Sequence, residues 1–247
     1  MYRFFVDEGQ IGPSTVSIVG EDVNHIKNVL RMKAGEEVAI SDGKSPKEYM
    51  CKVESLAEDE ILLKICSVKE GGTELASKVY LFQGLPKSDK MELVIQKTVE
   101  LGCHQIVPVA CRRSVVKLDG KKAESKVARW NAISEAAAKQ SKRGIIPKVT
   151  EVMTFKEAIA YAAKNCKVLL MPYENAGDMG KTRELIEGIR GGEDVAVFIG
   201  PEGGFDTGEV ELAMENGILP ITLGRRILRT ETAGLTVLAW LMYQLED

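Results

Sequence analysis

A glycine-rich loop lies between an apolar run and a helix start in the carboxyl-terminal part of the chain. The apolar residues 195–199 predict a buried strand, and residues 200–204 read Gly-Pro-Glu-Gly-Gly. Asp206 is a potential helix N-cap, and Glu209 follows it at the spacing of a capping box. Open α/β sheets bind ligands where a strand, a loop and a helix follow in this order, because glycine backbone can approach a ligand closely.

The chemistry of this loop narrows the class of ligand. A phosphate-binding loop ends in Gly-Lys followed by Ser or Thr, and residues 200–204 lack that ending. Glu202 would also repel a phosphate group, so the loop suits a neutral or cationic ligand better than a nucleotide polyphosphate. On the glycines alone, a tight turn without any ligand is an equally weighted alternative.

A second segment, residues 223–233, reads Leu-Gly-Arg-Arg-Ile-Leu-Arg-Thr-Glu-Thr-Ala. The two segments together resemble the carboxyl-terminal motifs of the SPOUT class of methyltransferases, and within that class the 16S ribosomal RNA uridine-N3 methyltransferase family. The resemblance covers nearly the whole chain, with Pro172 as a departure in the first loop. Other matching residues are Arg3 to Val6, His25 to Arg31, Glu92, Gln96, Lys97, Glu100 to Gly102, Arg112 to Ser114, Arg129, Trp130, Glu135, Ala136, Gln140 and Ser141.

The resemblance implies a fold and a cofactor. The fold is α/β, with a mostly parallel sheet and a deep trefoil knot, preceded by a PUA-like β-barrel that grips RNA. Three loops of the knot would hold S-adenosylmethionine, a sulfonium cation without phosphates, which fits the loop chemistry. The residues implied in cofactor binding are Met171, Tyr173, Glu174, Ile199, Gly200, Pro201, Gly203, Gly204, Leu223, Gly224, Ile227, Leu228, Thr232 and Ala233.

The implied reaction draws attention to two charged residues. Methyl transfer to N3 of uracil requires removal of the N3 proton or stabilisation of the uracil anion. Arg229 offers a fixed positive charge for the anion, with a salt bridge to Glu231 or Glu202 as the equally weighted alternative. Glu202 is the second catalytic candidate, as the base or, preferably, as a group that holds the amino group of the cofactor or Arg229.

The distribution of charge indicates a region that binds a polyanion. The net charge is −3, yet residues 112–143 carry ten basic and three acidic residues, a local charge of +7. Such a block is typical of nucleic-acid binding, with an ordinary solvated helix face as the alternative. With the resemblance, the expected partner is ribosomal RNA within the assembled small subunit. The RNA-binding candidates are Arg3, His25, Arg31, Arg112, Arg113 and Arg143.

The cysteines and the apolar stretches indicate the compartment. The chain has five cysteines without a Cys-x-x-Cys pair, which argues against a disulfide framework and for a reducing cytosol. Their spacing fits no zinc pattern, so no metal is expected. The first residues lack the pattern of a signal peptide, and the longest apolar stretch, residues 235–245, is too short to span a bilayer. We therefore expect a cytoplasmic protein without a membrane partner.

Two domains are predicted along the chain. Residues 1–70 contain short alternating strands with turn signals, which favours a small barrel, and residues 70–73 read as a linker. Strands and helices alternate over residues 74–247, which favours a mostly parallel sheet covered by helices. The helix predicted from about Thr230 is apolar on nearly all sides, so we expect a homodimer that covers it.

Two other functions stay open from the sequence. A non-catalytic RNA-binding ribosome assembly factor could keep this fold without the reaction, and a lack of cofactor affinity would identify it. A nucleotide-binding enzyme could use the glycine-rich loop for phosphates, but Glu202 and the missing lysine argue against that function.

Overall fold

The computed structural model describes residues 1–70 and 72–246. Gly71 belongs to the predicted linker, residues 70–73, and lies outside the described residues. Glu70, the first residue of that linker, is the last residue of a strand.

Residues 1–70 form a curled sheet that contains five strands. The strands are β1 (Tyr2–Phe5), β2 (Thr15–Val19), β3 (Glu37–Ser41), β4 (Lys47–Leu56) and β5 (Glu60–Glu70), with a short helix, α1 (Glu21–Asn24), that continues as a wider turn over His25–Val29. Their order is β1-β3-β4-β5-β2, and every pair except the parallel β1 and β3 is antiparallel. Alternate residues such as Val16 and Ile18 face one apolar core. Two register shifts between β4 and β5 bend the sheet.

The compact unit that contains this sheet also includes a distant segment of the chain. It comprises residues 1–74 and 138–146, whereas the predicted division placed residues 138–146 in the second domain. The physical reason is a set of specific contacts. The N–H of Ile146 donates to the carbonyl of Gly43 at 2.8 Å, and Lys139 Nζ lies 3.8 Å from a carboxylate oxygen of Asp22.

The second unit is an α/β sheet with helices. Its described strands are β6 (Val79–Gly84), β7 (Gln105–Ala110), β8 (Lys148–Val149), β9 (Met153–Thr154), β10 (Val168–Pro172), β11 (Val195–Ile199) and β12 (Leu219–Ile221). Its helices are α2 (Lys90–Glu100), α3 (Gly120–Gln140), α4 (Phe155–Asn165), α5 (Met179–Gly188), α6 (Thr207–Glu215) and α7 (Thr230–Leu245). The strand order is β12-β10-β11-β6-β7-β8, with β9 paired to β7, and these pairs are parallel, as the sequence predicts.

The core of the second unit lies on the central strands. All residues of β6 and β11 are buried, as expected for strands covered on both faces. Phe82 and Phe198 stack at 4.4 Å between ring centroids, and Phe155 of α4 and Phe205 belong to the same cluster. Helix α7 packs against α2 and against β6 and β11. Trp130 of α3 is also buried.

Helix α7 is covered on one side only. Val237, Leu238 and Leu241 are buried, whereas Trp240 is half-buried and Tyr243 is 87% exposed. The chain itself therefore leaves part of this apolar helix uncovered.

Two other features, a membrane-spanning helix and a metal-binding cluster, do not occur among the described residues. No helix among them has both the length and the apolar character needed to cross a membrane. They contain no group of three or more His, Cys, Asp or Glu side chains placed to hold a metal ion.

Candidate active site

A cavity of about 1050 Å³ opens where β10, β11 and β12 end. Because β10 lies between β11 and β12, the loops that follow these three parallel strands meet at one edge of the sheet. The wall is formed by residues within 172–179, 199–205 and 222–233, together with Lys90 and Arg113. A concave site of this size is suited to a small molecule.

The glycine-rich loop enters α6 through the predicted capping box. The Asp206 carboxylate accepts a hydrogen bond from the N–H of Gly208 at 3.2 Å, and Glu209 Oε2 accepts one from the N–H of Asp206 at 2.9 Å. Gly204 has a φ of 66°, in the left-handed region that favours glycine. A Cβ on Gly200 would lie 3.1 Å from the Gly204 backbone, so a side chain there would be a tight contact that requires this turn to shift by a few tenths of an ångström.

A glycine in β6 supports the same loop and is missed by sequence reasoning. A Cβ on Gly84 would lie 2.6 Å from Pro201 Cδ and 3.1 Å from Cys111 Sγ. Gly84 therefore lets the glycine-rich loop rest directly on the end of β6. No local pattern marks this glycine, because the close approach joins segments that are far apart in the chain.

A buried hydroxyl ties the third loop to the glycine-rich loop. Thr230 Oγ1 donates to the Gly200 carbonyl at 2.6 Å and accepts from Gln83 Nε2 at 2.9 Å, and both side chains are buried. Thr232, which the resemblance implies in cofactor binding, is exposed and is not part of the cavity wall. The two threonines differ because residues two apart in a helix lie on different faces, and Thr230 starts α7 on the inner face.

Most of the other predicted cofactor residues lie around this one cavity. Met171 is the exception, because its side chain is buried in the core beside the sheet and does not reach the cavity. The residues that line the cavity are Tyr173, Glu174, Ile199, Gly200, Pro201, Gly203, Gly204, Leu223, Gly224, Ile227, Leu228 and Ala233.

Lys90 joins a carboxylate of the cavity wall, Glu202, to a carboxylate of α7, Glu231. Its Nζ lies 3.1 Å from Glu202 Oε1 and 3.4 Å from Glu231 Oε2. Glu202 also accepts a hydrogen bond from the N–H of Lys87 at 3.0 Å. Partial burial raises the pKa of Glu202, but hydrogen bonds from backbone N–H groups and from Lys90 outweigh this effect and hold the pKa below its usual value. Glu202 is therefore a carboxylate with a weakened tendency to accept a proton.

Arg229 lines the cavity with an exposed side chain at the N-cap position of α7. The sequence offered two roles for it, a contact with the substrate or a salt bridge to Glu231 or Glu202. Within residues 1–70 and 72–246, the cation that forms ion pairs with these carboxylates is Lys90. The guanidinium of Arg229 is therefore available to a ligand.

Arg113 lines the cavity, and Arg112 lies beside it. Arg112 Nη1 is 2.8 Å from Asp206 Oδ1, Arg113 Nη2 is 3.7 Å from Asp206 Oδ2, and Arg113 Nη1 donates to the Gly203 carbonyl at 3.2 Å. The hydrogen bond from Arg112 is the main cause that lowers the pKa of Asp206. The side chain of Arg112 is 73% exposed, so its remaining N–H groups stay accessible to a phosphate.

Two other RNA-binding candidates form ion pairs within the first unit. The side chain of Arg143 is only 3% exposed and forms an ion pair with Glu74, with Arg143 Nε at 3.1 Å from Glu74 Oε1. Arg3 pairs with Glu48 and donates to the Arg143 carbonyl at 3.1 Å. A phosphate would have to displace these partners, so RNA contact by Arg3 and Arg143 stays an untested prediction.

His25 and Arg31 keep exposed side chains. The ring of His25 packs edge-on against the ring of Phe4, with 6.3 Å between the two centroids. Arg31 lies after the wider turn over His25–Val29, and its backbone has a φ of 54°. Their contact with RNA stays a prediction.

Comparison with known proteins places the chain in a family. Residues 73–242 match the model of an RNA methyltransferase domain, and residues 18–66 match that of an RNA methyltransferase PUA domain. The ribosomal RNA small subunit methyltransferase E of Bacillus subtilis is 38% identical over 100% of this chain and 98% of its own length. The protein of the same name from Mesomycoplasma hyopneumoniae is 35% identical over 96% of this chain and 97% of its own.

A solved structure shows the same architecture with a ligand. The ribosomal RNA small subunit methyltransferase E from Neisseria gonorrhoeae, bound to S-adenosyl methionine, superposes with a TM-score of 0.84. It is 31% identical, and the match covers 98% of this chain and 97% of that one. With these relatives and both domain matches, the chain belongs to the RNA methyltransferase family of the ribosomal RNA small subunit methyltransferases E.

Proposed function

We propose that this protein transfers a methyl group from S-adenosylmethionine to N3 of a uridine in the ribosomal RNA of the small subunit. The observation that carries the proposal is the convergence of three loops, after β10, β11 and β12, on one cavity. The family supports RNA methylation, and the resemblance of residues 200–204 and 223–233 supports the uridine N3 position.

The cavity fits the proposed cofactor. Leu223, Ile227 and Leu228 give apolar surface for an adenine, and the glycine backbone allows close approach. Carboxylates of Glu174 and Glu202 face a ligand that carries a sulfonium and an ammonium group. We also propose that the three loops form the trefoil knot that the resemblance implies, since residues of all three line one cavity.

In this proposal, the residues of the chain act mainly by position and charge. The cofactor supplies an already activated methyl group, so alignment of the reacting atoms contributes most of the rate. Arg229 would stabilise the negative charge that develops on a uracil carbonyl oxygen as N3 loses its proton. Glu202 would hold a cationic group of the ligand or would hold Lys90 in the cavity wall. Its lowered pKa makes it a poor base for the N3 proton.

The target base must leave any base pair before it can react. N3 of uracil lies on the pairing edge, so the nucleotide must be unpaired or turned out into the cavity. Arg112 and Arg113 would contact phosphates, and His25 and Arg31 of the first unit are further candidates for RNA contact. We propose the RNA within the assembled small subunit as the substrate, since the relatives are named as methyltransferases of small-subunit ribosomal RNA.

We further propose a homodimer in the cytoplasm. A groove of about 320 Å³ runs between α5 and α7 and is lined by Ile186, Trp240 and Tyr243 among others. The exposed apolar part of α7 would be covered there by a second copy. The five free cysteines are compatible with a reducing compartment.

Two measurements test the function. Mass spectrometry of small-subunit RNA nucleosides should show 3-methyluridine in cells with this protein and its loss in cells without it. A Gly203→Val variant should stay folded and lose cofactor binding in calorimetry, because Gly203 lines the cavity and its Cβ would lie 3.3 Å from Arg113 Cβ. Unchanged 3-methyluridine in the deletion strain, or wild-type affinity in folded Gly203→Val, would argue against the proposal.

A further inference from the structure

Two arginines at the cavity, Arg225 and Arg226, are assigned no role by the sequence analysis. Both are exposed, both line the cavity, and both belong to the loop that follows β12. Ile227, the next residue, is 86% exposed. This loop therefore presents its side chains to solvent at the opening of the cavity.

The loop that carries these arginines is anchored at both ends. At its start, the N–H of Thr222 donates to Thr182 Oγ1 at 3.1 Å, and the N–H of Gly224 donates to Thr222 Oγ1 at 3.3 Å. Gly224 has a φ of 101°, which permits the sharp change of direction before Arg225. At its end, Thr230 is hydrogen-bonded to the Gly200 carbonyl. The two guanidinium groups thus project from a fixed base.

The charges around the cavity leave these two guanidinium groups uncompensated. Lys90 is paired with Glu202 and Glu231, and Arg113 is paired with Asp206. Within residues 1–70 and 72–246, neither Arg225 nor Arg226 forms an ion pair or a hydrogen bond through its side chain. Two adjacent cations without an internal partner attract an external anion.

The proposed cofactor and the RNA differ in chemistry, and this difference indicates which of them supplies the anion. The proposed cofactor has no phosphate and carries a sulfonium, so two adjacent arginines are unsuited to recognise it. A nucleotide that enters the cavity with its base leaves its own phosphates at the opening, because the base is turned out about the backbone. Guanidinium groups bind phosphate oxygens through paired hydrogen bonds.

We propose that Arg225 and Arg226 bind the RNA phosphates that flank the target nucleotide. The proposal rests on the proposed function, because it takes RNA as the ligand of this cavity. It adds a backbone clamp at the opening, distinct from the contact of Arg229 with the base. The clamp would hold the nucleotide in its extruded position while the base lies in the cavity.

The test compares charge-removing variants at two places on the second unit. Arg225→Gln/Arg226→Gln removes the clamp, whereas Lys156→Gln/Lys164→Gln removes the same charge from exposed positions of α4. Affinity for small subunits lacking the modification, and for a labelled single-stranded fragment of their RNA, is measured at several salt concentrations. Loss of two phosphate contacts should reduce the slope of log K against log salt by about 1.4, since each contact contributes about 0.7 for single strands.

Further readouts separate the clamp from a general loss of structure. Arg225→Lys/Arg226→Lys should keep the salt slope, because the charge is retained, and affinity for S-adenosylmethionine should stay at the wild-type value in both arginine variants. A wild-type salt slope in Arg225→Gln/Arg226→Gln, or an equal reduction in the lysine control on α4, would overturn this inference alone. A wild-type protein that binds neither RNA form would overturn the proposed function together with it.

Discussion

At the scale of single residues, the cavity wall depends on side chains that join separate segments. Lys90 from α2 binds Glu202 in the second loop and Glu231 in α7. Thr230 joins the third loop to Gly200. Each of these residues fixes the position of a neighbour that would meet the ligand. We therefore expect its substitution to weaken ligand binding even where the residue itself does not contact the ligand.

The first prediction concerns Lys90. In Lys90→Met, Glu202 and Glu231 lose their shared cation, so we expect about tenfold weaker binding of S-adenosylmethionine, in line with the loss of a charged hydrogen bond. Lys90→Arg should retain most of the affinity. Lys97→Met is the matched control, because Lys97 lies in the same helix and pairs with Glu100 at 2.9 Å, away from the cavity wall. Calorimetry that finds equal affinity in Lys90→Met and Lys97→Met would contradict the role of Lys90.

The second prediction concerns Arg229. Arg229→Ala should bind RNA nearly as the wild type does, yet methylate it about a hundredfold more slowly, since the variant lacks the charge that stabilises the uracil anion. Single-turnover kinetics with saturating RNA and cofactor measure this step. Arg229→Lys keeps the positive charge but lacks the paired hydrogen-bond donors of arginine. Its rate of methylation should therefore lie between those of the wild type and Arg229→Ala. If Arg229→Ala reacts at the wild-type rate, Arg229 takes no part in the chemical step.

Sequence reasoning predicted some of the residues at the cavity and missed others for a definite reason. The loops at 200–204 and 223–233 carry local signals, namely glycines, a capping box and a family motif. Lys90 and Gly84 carry no such signal, because their importance lies in contacts with distant segments. Thr232 was predicted and Thr230 was not, because a motif gives spacing but does not give the face of the helix on which each residue lies.

At the scale of elements, the first residues of helices are the features that the local sequence specifies best. Thr154 and Asp206 each act as N-cap, with a glutamate in capping-box position. The apolar run 195–199 forms β11 with the predicted bounds. The strands β8 and β9 have two residues each and were not predicted, because such short elements show no periodicity and arise from pairing with β7.

The third prediction concerns the cap of α6. Asp206→Ala should lower the free energy of unfolding by about 1 kcal/mol, as loss of an N-cap does. Asp206→Asn keeps a capping oxygen and should cost less, although it weakens the contacts with Arg112 and Arg113. Urea unfolding of both variants measures the difference. Equal losses would show that the ion pairs, rather than the cap, account for the effect.

At the scale of the whole molecule, one feature lay beyond the sequence patterns and another followed from them. Residues 138–146 join the first unit through tertiary contacts, so no composition change marks the crossing. The uncovered side of α7, by contrast, was foreseen, because a helix apolar on nearly every side cannot be buried by one sheet.

The fourth prediction concerns the oligomeric state. Trp240→Asp should give monomers or insoluble protein, because a charge would be placed in the proposed interface between two copies. Met214→Asp, at an exposed apolar residue of α6, is the control and should behave as the wild type. Sedimentation at micromolar concentration distinguishes these outcomes, and a monomeric wild type would contradict the dimer.

The hydrogen bond from Thr230 to Gly200 has a consequence for biosynthesis. A nascent chain that has left the ribosome as far as β12 already has the glycine-rich loop and much of the parallel sheet, but it lacks the hydroxyl that ties this loop to the third one. The cavity closes only after the start of α7 has emerged. Chains that stall before residue 230 would therefore lack both this hydrogen bond and the helix that packs against β6 and β11, and their site would be incomplete.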